Sequence, residues 1–248
     1  MTYEGKVAVI TGGGRGFGQA FGAALAARGA HVALVDVDAA AAERAAAEIE
    51  GTGSVRGFAA DVTDEQAVAR VVEQVVARHG GIDILVNNAG LHSAAYNRPS
   101  AELGIAALRR LFDVNVMGVL ICSLAARAAM SGRPGASIVN LSSSAAYANR
   151  SAYGVSKLAV NGVTMQLARE FAPDGIRVNA IAPGLIFTDT IRAELPPADV
   201  ARVMAQQVLA REGEERDIVQ ALLFLVSPRS SFITGETLRV TGGFALSI

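Results

Sequence analysis

The stretch that decides the fold is Lys6-Val7-Ala8-Val9-Ile10, followed by Thr11-Gly12-Gly13-Gly14-Arg15-Gly16-Phe17-Gly18. The first run is short, apolar and rich in β-branched residues, which indicates a buried strand. The alanine-rich segment that follows the glycines, from Gln19 to Arg28, favours a helix. A strand, a glycine turn and a helix in this order place a pyrophosphate on backbone N–H groups at the helix N-terminus. The sequence therefore predicts a dinucleotide-binding turn, with a plain flexible turn as the alternative.

The second predicted strand, from His31 to Val35, ends at an acidic residue, Asp36. A carboxylate at this distance past the glycines binds the hydroxyls of the adenosine ribose and repels a 2′-phosphate. Arg15 in the glycine turn gives the opposite signal, because a cation pairs with that phosphate. We give Asp36 more weight because its repulsion acts at close range, and we therefore expect NAD rather than NADP. The alternative interpretation of Asp36 is a surface turn residue.

Tyr153 and Lys157 are four residues apart in a segment predicted to be helical, so both side chains lie on one face. An ammonium group beside a phenol favours the phenolate and lowers the pKa of the tyrosine toward the range of a proton-transfer catalyst. Such a pair by itself is usually two solvated neighbours. Its position downstream of a dinucleotide-binding turn makes a catalytic pair the better interpretation.

Strand and helix patterns alternate through the rest of the chain, which predicts a parallel sheet with right-handed crossovers. We expect one α/β domain over residues 1–248, with a Rossmann-type doubly wound parallel sheet covered by helices on both faces. The further predicted strands are Val55–Ala59, Ile82–Val86, Ser137–Leu141, Ile176–Ile181 and Thr237–Val240. Further helices are predicted over Ala39–Glu50, Ser151–Phe171 and Asp217–Val226, and a long or broken one over Ile105–Met130. Another helix runs to about His79, with Thr63 as its candidate cap and Gly80-Gly81 at its end.

The composition argues against several classes of protein. The 248 residues are 51% hydrophobic and carry a net charge of −1, so no electrostatic footprint for nucleic acid is apparent. The apolar runs are short or interrupted and the N-terminus lacks an apolar signal region, so we expect a cytoplasmic protein without a membrane partner. Cys122 is the only cysteine and is expected in the core. His31, His79 and His92 show no ligand spacing, so no metal is expected.

Taken together, these motifs resemble the short-chain dehydrogenase/reductase family in its single-domain form, over nearly the whole chain. Thr11 to Gly18 is similar to the family's TGxxxGxG turn, with Phe17 where Ile or Leu is usual. Asn87-Asn88-Ala89-Gly90 corresponds to its NNAG motif, and Tyr153 and Lys157 to YxxxK. The resemblance implies coenzyme-binding roles for Gly12, Arg15, Gly16, Phe17, Gly18, Asp36, Asp61, Val62, Asn88, Ala89, Gly90, Tyr153, Lys157, Pro183, Gly184, Ile186 and Thr188.

The resemblance also implies an NAD-dependent oxidoreductase that transfers a hydride between a secondary alcohol, or its ketone, and the nicotinamide. Tyr153 is then the general base or acid, and Lys157 lowers its pKa and holds the nicotinamide ribose. Asn115 holds a water in a proton relay, with a helix-interior asparagine that satisfies the backbone as the alternative. Alignment from Asn140 selects Ser143 to hold the substrate oxygen. Ser142 and Ser144 stay open, because the ten-residue spacing to Tyr153 is shorter than the family commonly shows.

In the family, the substrate pocket lies after the fourth and fifth strands and under a lid, here at about residues 185–210. The candidate pocket residues are His92, Ser93, Tyr96, Ser144, Tyr147, Ile186, Phe187, Phe244 and Leu246. Most are apolar or aromatic, which favours a small, moderately hydrophobic alcohol over a phosphorylated one, with ordinary lid packing as the alternative. The family also suggests a homotetramer that assembles through the long helices and the last strand.

Two other functions stay open. A 3-oxoacyl-carrier-protein reductase that uses NADPH has a similar overall pattern, and Arg15 suits it. Asp36 argues against that reductase, as does the lack of an obvious basic cluster near the lid for an acidic carrier. A non-catalytic dinucleotide-binding protein belongs to another class, but it would be free to lose Tyr153 or Lys157, and both are present.

Overall fold

Seven parallel strands form the centre of the protein, in the order β3-β2-β1-β4-β5-β6-β7. The computed structural model describes residues 2–91, 96, 98–148, 151–188, 197–244 and 246. The strands are β1 (Val7–Thr11), β2 (His31–Asp36), β3 (Val55–Ala59), β4 (Ile84–Asn87), β5 (Ser137–Leu141), β6 (Arg177–Pro183) and β7 (Thr237–Val240). This order confirms the predicted doubly wound sheet in a single α/β domain.

Helices cover both faces of this sheet. They are α1 (Gly16–Ala26), α2 (Ala39–Glu48), α3 (Glu65–His79), α4 (Ser100–Phe112), α5 (Gly118–Met130), α6 (Ala145–Ala148), α7 (Ala152–Phe171), α8 (Pro197–Met204) and α9 (Glu215–Leu225). A π-helical segment, Asp113–Met117, joins α4 to α5. The helix predicted over Ile105–Met130 is therefore a broken one, and α4 has a further kink at Gly104, where φ is 75°.

The start of α3 corrects one prediction. The side chain of Asp64, not Thr63, caps the helix, and its Oδ1 accepts from the backbone N–H groups of Gln66 at 2.9 Å and Ala67 at 3.0 Å. Thr63 donates instead to the carboxylate of Asp61, with 2.7 Å between the oxygens. Aspartate is as good a cap as threonine or better, so the cap forms one residue later. The helix ends at Gly80, which has a φ of 79°, as predicted.

Two hydrophobic cores lie on the two faces of the sheet. On one face α3, α5 and α7 pack against the strands, and on the other α1 and α9 do so. Cys122 lies in the first core, as predicted, and burial raises the pKa of its thiol to about 12. A thiol in this environment is unreactive.

The helical path from Ser100 to Met130 is long and apolar enough to cross a membrane by length and composition. Its apolar side chains, however, pack in the first core against the sheet. Val114, Val119 and Met130 are buried there. This is the packing of a core helix in a globular domain.

The parallel topology gathers the predicted site residues at one edge of the sheet. The glycine turn follows β1, Asp36 ends β2, and Asn88 follows β4. Ser143 follows β5, and Gly184 follows β6. The carboxyl ends of these strands all lie at the same edge, where ligands of open α/β sheets bind.

Candidate active site

The glycine turn after β1 exposes the N-terminus of α1. Arg15 precedes the first helical residue in an extended conformation, and no side chain caps the helix. Gly16 has a φ of 53°, and no described atom lies within 4 Å of the point where its Cβ would be. A Cβ on Gly18 would overlap the carbonyl oxygen of Gly12, so the helix and the turn pack too closely for a side chain. The free N–H groups and the open approach fit a phosphate group.

Asn88 holds this turn in place. Its Nδ2 donates to the carbonyl oxygens of Thr11 at 3.0 Å and Gly12 at 2.9 Å. The hydroxyl of Thr11 in turn accepts from the backbone N–H groups of Asn88 and Ala89, both at 3.1 Å. The side-chain amide of Asn88 therefore joins the ends of β1 and β4, and we infer that it positions the predicted coenzyme turn.

The carboxylate of Asp36 is fixed beside the turn. Its Oδ2 accepts from the backbone N–H of Gly14 at 3.0 Å, and its Oδ1 accepts from that of Asp38 at 3.1 Å. A Cβ on Gly14 would lie 2.9 Å from the same Oδ2. Arg15 is exposed in this turn. Asp36, which favours NAD, and Arg15, which favours NADP, thus both lie at this turn. The carboxylate of Asp36 is held by hydrogen bonds from the backbone.

Asp61 and Val62 lie at the next strand end, after β3. The carboxylate of Asp61 accepts from Thr63, through its backbone N–H at 2.9 Å and its hydroxyl, and from Arg110 Nη2 at 3.1 Å. Burial raises the pKa of Asp61, but these hydrogen bonds outweigh burial and keep the pKa below its usual value. Val62 is buried against Gly118. Asp61 is therefore an ionised, fixed acceptor, and its role in coenzyme binding stays a prediction.

The hydroxyl of Tyr153 is hydrogen-bonded to that of Ser143. Ser142 has a different partner, because its buried hydroxyl donates to the carbonyl oxygen of Lys157 at 3.1 Å. The backbone N–H of Ser144 donates to the carbonyl oxygen of Pro183 at 2.8 Å. Of the three serines left open by the sequence, Ser143 is thus the one that meets Tyr153, despite the short spacing between them.

Lys157 is only 5% exposed. Its Nζ donates to the carbonyl oxygen of Leu141 at 2.6 Å and lies 5.8 Å from the centroid of the Tyr153 ring. Burial lowers the pKa of Lys157 to about 8. The side chain therefore still carries its charge at neutral pH, but the charge is poorly solvated and faces the tyrosine ring.

The predicted fall of the Tyr153 pKa is wrong for the protein alone. Burial raises the pKa of Tyr153, and the hydrogen bond from Ser143 opposes this rise without overcoming it. Burial is the main cause, and the ammonium group of Lys157 donates to the carbonyl oxygen of Leu141. The phenol is therefore protonated near neutral pH and is ready to act as an acid.

Asn115 lies in the π-helical segment and is 1% exposed. Its Oδ1 accepts from the backbone N–H of Leu91 at 2.7 Å, and its Nδ2 donates to Ser156 Oγ at 3.1 Å. Asn115 Oδ1 and Lys157 Nζ both lie within 3.4 Å of the point where a Cβ on Gly90 would be. Asn115 thus satisfies a backbone group, as expected of a helix-interior asparagine. It also lies near Lys157, as a proton relay through Asn115 requires.

A buried polar network behind Lys157 was not recognised in the sequence. Asn87 Nδ2 donates to Ser123 Oγ at 2.9 Å and to Asn140 Oδ1 at 2.8 Å, and Asn140 Nδ2 donates to Thr164 Oγ1 at 2.9 Å. The network joins β4, β5, α5 and α7. The sequence does contain a signal for this network, since an asparagine lies near the end of each of two buried apolar strands. Buried amides need hydrogen-bond partners, so two of them on neighbouring strands predict polar contacts in the core.

Part of the predicted substrate pocket lines one cavity of the described structure. A cavity of about 660 Å³ is lined by Ile186, Phe244 and Leu246, among others, but not by Tyr153 or Ser143. The remaining described candidates are Tyr96, Ser144, Tyr147 and Phe187, and the guanidinium of Arg239 lies 5.0 Å from the Tyr147 ring centroid. His92, Ser93 and residues 189–196 of the predicted lid lie outside the described residues.

The site as described fits a dinucleotide. The uncapped helix offers N–H groups to a pyrophosphate, and Asp36 is held where the ribose hydroxyls are expected. Gly184 approaches Thr241 so closely that a Cβ would lie 2.7 Å from its Cα, which fixes the chain after β6. Thr188 follows in the same segment, where its N–H donates to the carbonyl oxygen of Ile186 at 2.9 Å. Within the described ranges, no three His, Cys, Asp or Glu side chains form a group that could hold a metal ion.

Comparisons with known proteins agree with this geometry. A family model described as enoyl-(acyl carrier protein) reductase matches residues 12–245. The chain belongs to the short-chain dehydrogenase/reductase family. It is 39% identical over 254 residues to the 3alpha-hydroxysteroid dehydrogenase of Mediterraneibacter gnavus, which covers 98% of both chains. It is 38% identical over 243 residues to the cis-4-hydroxycyclohexanecarboxylate dehydrogenase of Sinomonas cyclohexanicum, which covers 96% of both.

A solved structure gives the same result. The 7 alpha-hydroxysteroid dehydrogenase complexed with NADH and 7-oxo glycochenodeoxycholic acid superposes on this protein with a TM-score of 0.90 and 31% identity, covering 99% of this chain and 96% of the other. The present chain is thus an oxidoreductase of the short-chain family that acts on hydroxyl or ketone groups.

Proposed function

We propose that this protein transfers a hydride between NAD and a secondary alcohol or its ketone. The observation that carries the proposal is the meeting of Tyr153, Ser143 and Lys157 at the sheet edge that also holds the glycine turn and Asp36. A proton donor, a hydroxyl to bind oxygen and a buried cation are the groups that alcohol–ketone conversion needs.

Tyr153 exchanges the proton with the substrate oxygen. In ketone reduction the phenol donates its proton to that oxygen, and in alcohol oxidation the phenolate removes it. Ser143 hydrogen-bonds the same oxygen and stabilises the charge that develops there. Lys157 keeps a positive charge beside the ring, which stabilises the phenolate once it forms. Asn115, which lies near Lys157 beside Gly90, holds the water through which the proton reaches solvent.

The coenzyme, when bound, supplies the hydride or accepts it, and its oxidised ring is positively charged. The protein residues bind and orient it. The N–H groups at the start of α1 hold the pyrophosphate, Asp36 holds the adenosine ribose, and Lys157 the nicotinamide ribose. Asp36 favours NAD because a carboxylate repels a 2′-phosphate. The same residue argues against the reductase that uses NADPH.

For the substrate, we propose a hydrophobic cyclic secondary alcohol. Three of the described pocket candidates, Tyr96, Tyr147 and Phe187, are aromatic. Two similar proteins are named for hydroxysteroid and hydroxycyclohexanecarboxylate substrates, which are also cyclic secondary alcohols. Aromatic walls provide apolar contact area for a ring of this kind.

The experiment is a panel of cyclic and open-chain secondary alcohols with NAD, followed by the absorbance of NADH. With the best substrate, Tyr153→Phe should abolish nearly all turnover while NADH binding, measured by its fluorescence, is unchanged. Ser143→Ala and Ser142→Ala form a matched pair on adjacent residues. We expect Ser143→Ala to lower kcat by roughly 10²- to 10³-fold, as loss of an oxyanion donor does, and Ser142→Ala to lower it far less. Near-normal turnover in Tyr153→Phe would refute the mechanism.

We also propose that the protein is a homo-oligomer, in keeping with the tetramer expected for the family. Leu124 on α5 and Leu158 and Met165 on α7 are 52%, 45% and 54% exposed. Large apolar side chains on neighbouring helices form the kind of surface that a second copy covers. Light scattering of the purified protein tests this, and a monomer at micromolar concentration would contradict it.

A further inference from the structure

Four basic side chains line a shallow surface depression, with an accessible volume of about 10 Å³, at the opposite end of the sheet from the catalytic residues. His31 begins β2, Arg56 lies on β3, and Arg78 and His79 end α3. The rings of His31 and His79 are stacked, with centroids 4.6 Å apart and an interplanar angle of 22°. The rest of the lining is apolar: Val7, Val32, Ala33, Phe58 and Val75.

The positive charge of this cluster is not offset by a neighbouring acid. In the described part of the chain, no carboxylate forms an ion pair with Arg56 or Arg78. Burial lowers the pKa of His79, and His31, Arg78 and Arg56, all cationic or able to become so, lower it further. The cluster is thus a group of like charges around one opening.

Two further cations at this end of the sheet are paired with the same acid. Lys6 Nζ and Arg133 Nη2 lie 2.9 Å and 2.8 Å from the carboxylate oxygens of Asp83. Ser54, next to His31, is uncharged, and its N–H donates to His31 Nδ1 at 3.2 Å. When His31 is neutral its proton is therefore assigned to Nε2, which is a further donor.

A purely structural role explains only half of the cluster. Cations in the last turn of a helix are stabilised by its dipole, which accounts for Arg78 and His79. It does not account for His31 and Arg56, which lie on strands. Two guanidinium groups and two imidazoles on the rim of one depression can together hold an oxyanion at the protein surface.

We propose that this cluster binds a small soluble dianion, the phosphate group of a phosphate monoester or inorganic phosphate itself. The two guanidinium groups hold the oxygens, and the imidazole of His79 takes up a proton as the anion binds. Because an adjacent anion favours the imidazolium, affinity for an anion of constant charge, such as sulfate, increases as the pH falls through the pKa of His79. The site is separate from the proposed catalytic function and does not depend on it.

Sulfate is the first probe because its charge stays constant over the pH range of interest, and inorganic phosphate is the second. Histidine ring signals of the full-length protein are titrated by NMR in chloride and in sulfate at equal ionic strength, with His79→Gln to assign them. We expect sulfate to raise the pKa of His79. Arg56→Gln and Arg78→Gln should each weaken sulfate binding on the order of tenfold, the loss of one charge-assisted hydrogen bond.

Arg70→Gln is the matched control, because it removes an exposed arginine from the same helix, α3, outside the cluster. It should leave sulfate binding unchanged, and melting temperatures in chloride show whether each variant is folded. The proposal is overturned if the double variant Arg56→Gln/Arg78→Gln keeps the sulfate effect or if Arg70→Gln loses it. It is also overturned if the cluster binds phosphatidylglycerol vesicles but neither soluble anion, because the ligand is then a lipid headgroup.

Discussion

Replacing Asp36 with asparagine tests the basis of coenzyme preference. The substitution keeps the size of the side chain, and its amide oxygen still accepts from the N–H of Gly14, which lies 3.0 Å from Asp36 Oδ2. The amide nitrogen cannot accept from the N–H of Asp38, which lies 3.1 Å from Oδ1. The variant therefore removes one charge and one backbone hydrogen bond while leaving the glycine turn in place.

The size of the effect follows from the position of this carboxylate. Two unit charges ~4 Å apart interact by about 1 kcal/mol in water and by about 4 kcal/mol at an effective dielectric constant near 20. Asp36 is half-buried, so its repulsion of a 2′-phosphate lies between these limits. We expect Asp36→Asn to shift the ratio of NADPH to NADH affinity by roughly 10- to 100-fold toward NADPH.

The assay is a titration of NADH and of NADPH followed by the fluorescence of the reduced nicotinamide, and it needs no known substrate. Asp38→Asn is the control, because it also removes a charge from this turn, but its side chain caps α2 by accepting from Ala41 at 3.1 Å. The control should change the affinity ratio little. An unchanged ratio in Asp36→Asn, or an equal shift in Asp38→Asn, would refute the electrostatic argument.

Two further predictions concern pH. Burial raises the pKa of Tyr153, so kcat/KM for alcohol oxidation should rise between about pH 7 and pH 10. Ser143→Ala should move this rise to higher pH, because Ser143 lowers the pKa of Tyr153. A flat profile would contradict the assignment of Tyr153 as the general base. Burial raises the pKa of Asp83, but hydrogen bonds from Arg133 and Lys6 outweigh it and lower the pKa. This stabilisation is present above the unfolded pKa of roughly 3.9 and is lost as the pH falls through the folded value. Asp83→Asn should thus lower the melting temperature at pH 7, and this effect should diminish as the pH falls below about 3.9. An effect of equal size at every pH would exclude this origin.

Much of the fold was predictable because local signals agree with the final topology. The predicted strands Val55–Ala59, Ser137–Leu141 and Thr237–Val240 match the observed β3, β5 and β7 residue for residue. In each case turn-forming residues precede a short run that favours a strand. The π-helical segment that carries Asn115 was not predictable, because one widened turn barely changes the hydrophobic pattern of a helix. The cytoplasmic location and the boundaries of the lid stay predictions.

The site was predictable in its residue types but not in its contacts. The motifs identified Tyr153 and Lys157, and the structure brings both to the strand ends. The choice of Ser143 over Ser142 depends on which hydroxyl reaches the tyrosine, and that depends on how the chain after β5 packs on α7. Sequence spacing cannot give that orientation, because adjacent residues in a loop point in different directions.

The error in the pKa of Tyr153 has a physical cause that bears on function. Spacing indicated that an ammonium group lies near the phenol, but it gave no information on burial, which disfavours the charged form of both side chains. Burial raises the pKa of Tyr153 and lowers that of Lys157 to about 8, so it moves each group toward its neutral form. A neutral phenol can donate a proton to a ketone oxygen at once, whereas alcohol oxidation first requires that proton to leave. We therefore expect the protein's own residues to favour ketone reduction near neutral pH, and alcohol oxidation to become faster as the pH rises.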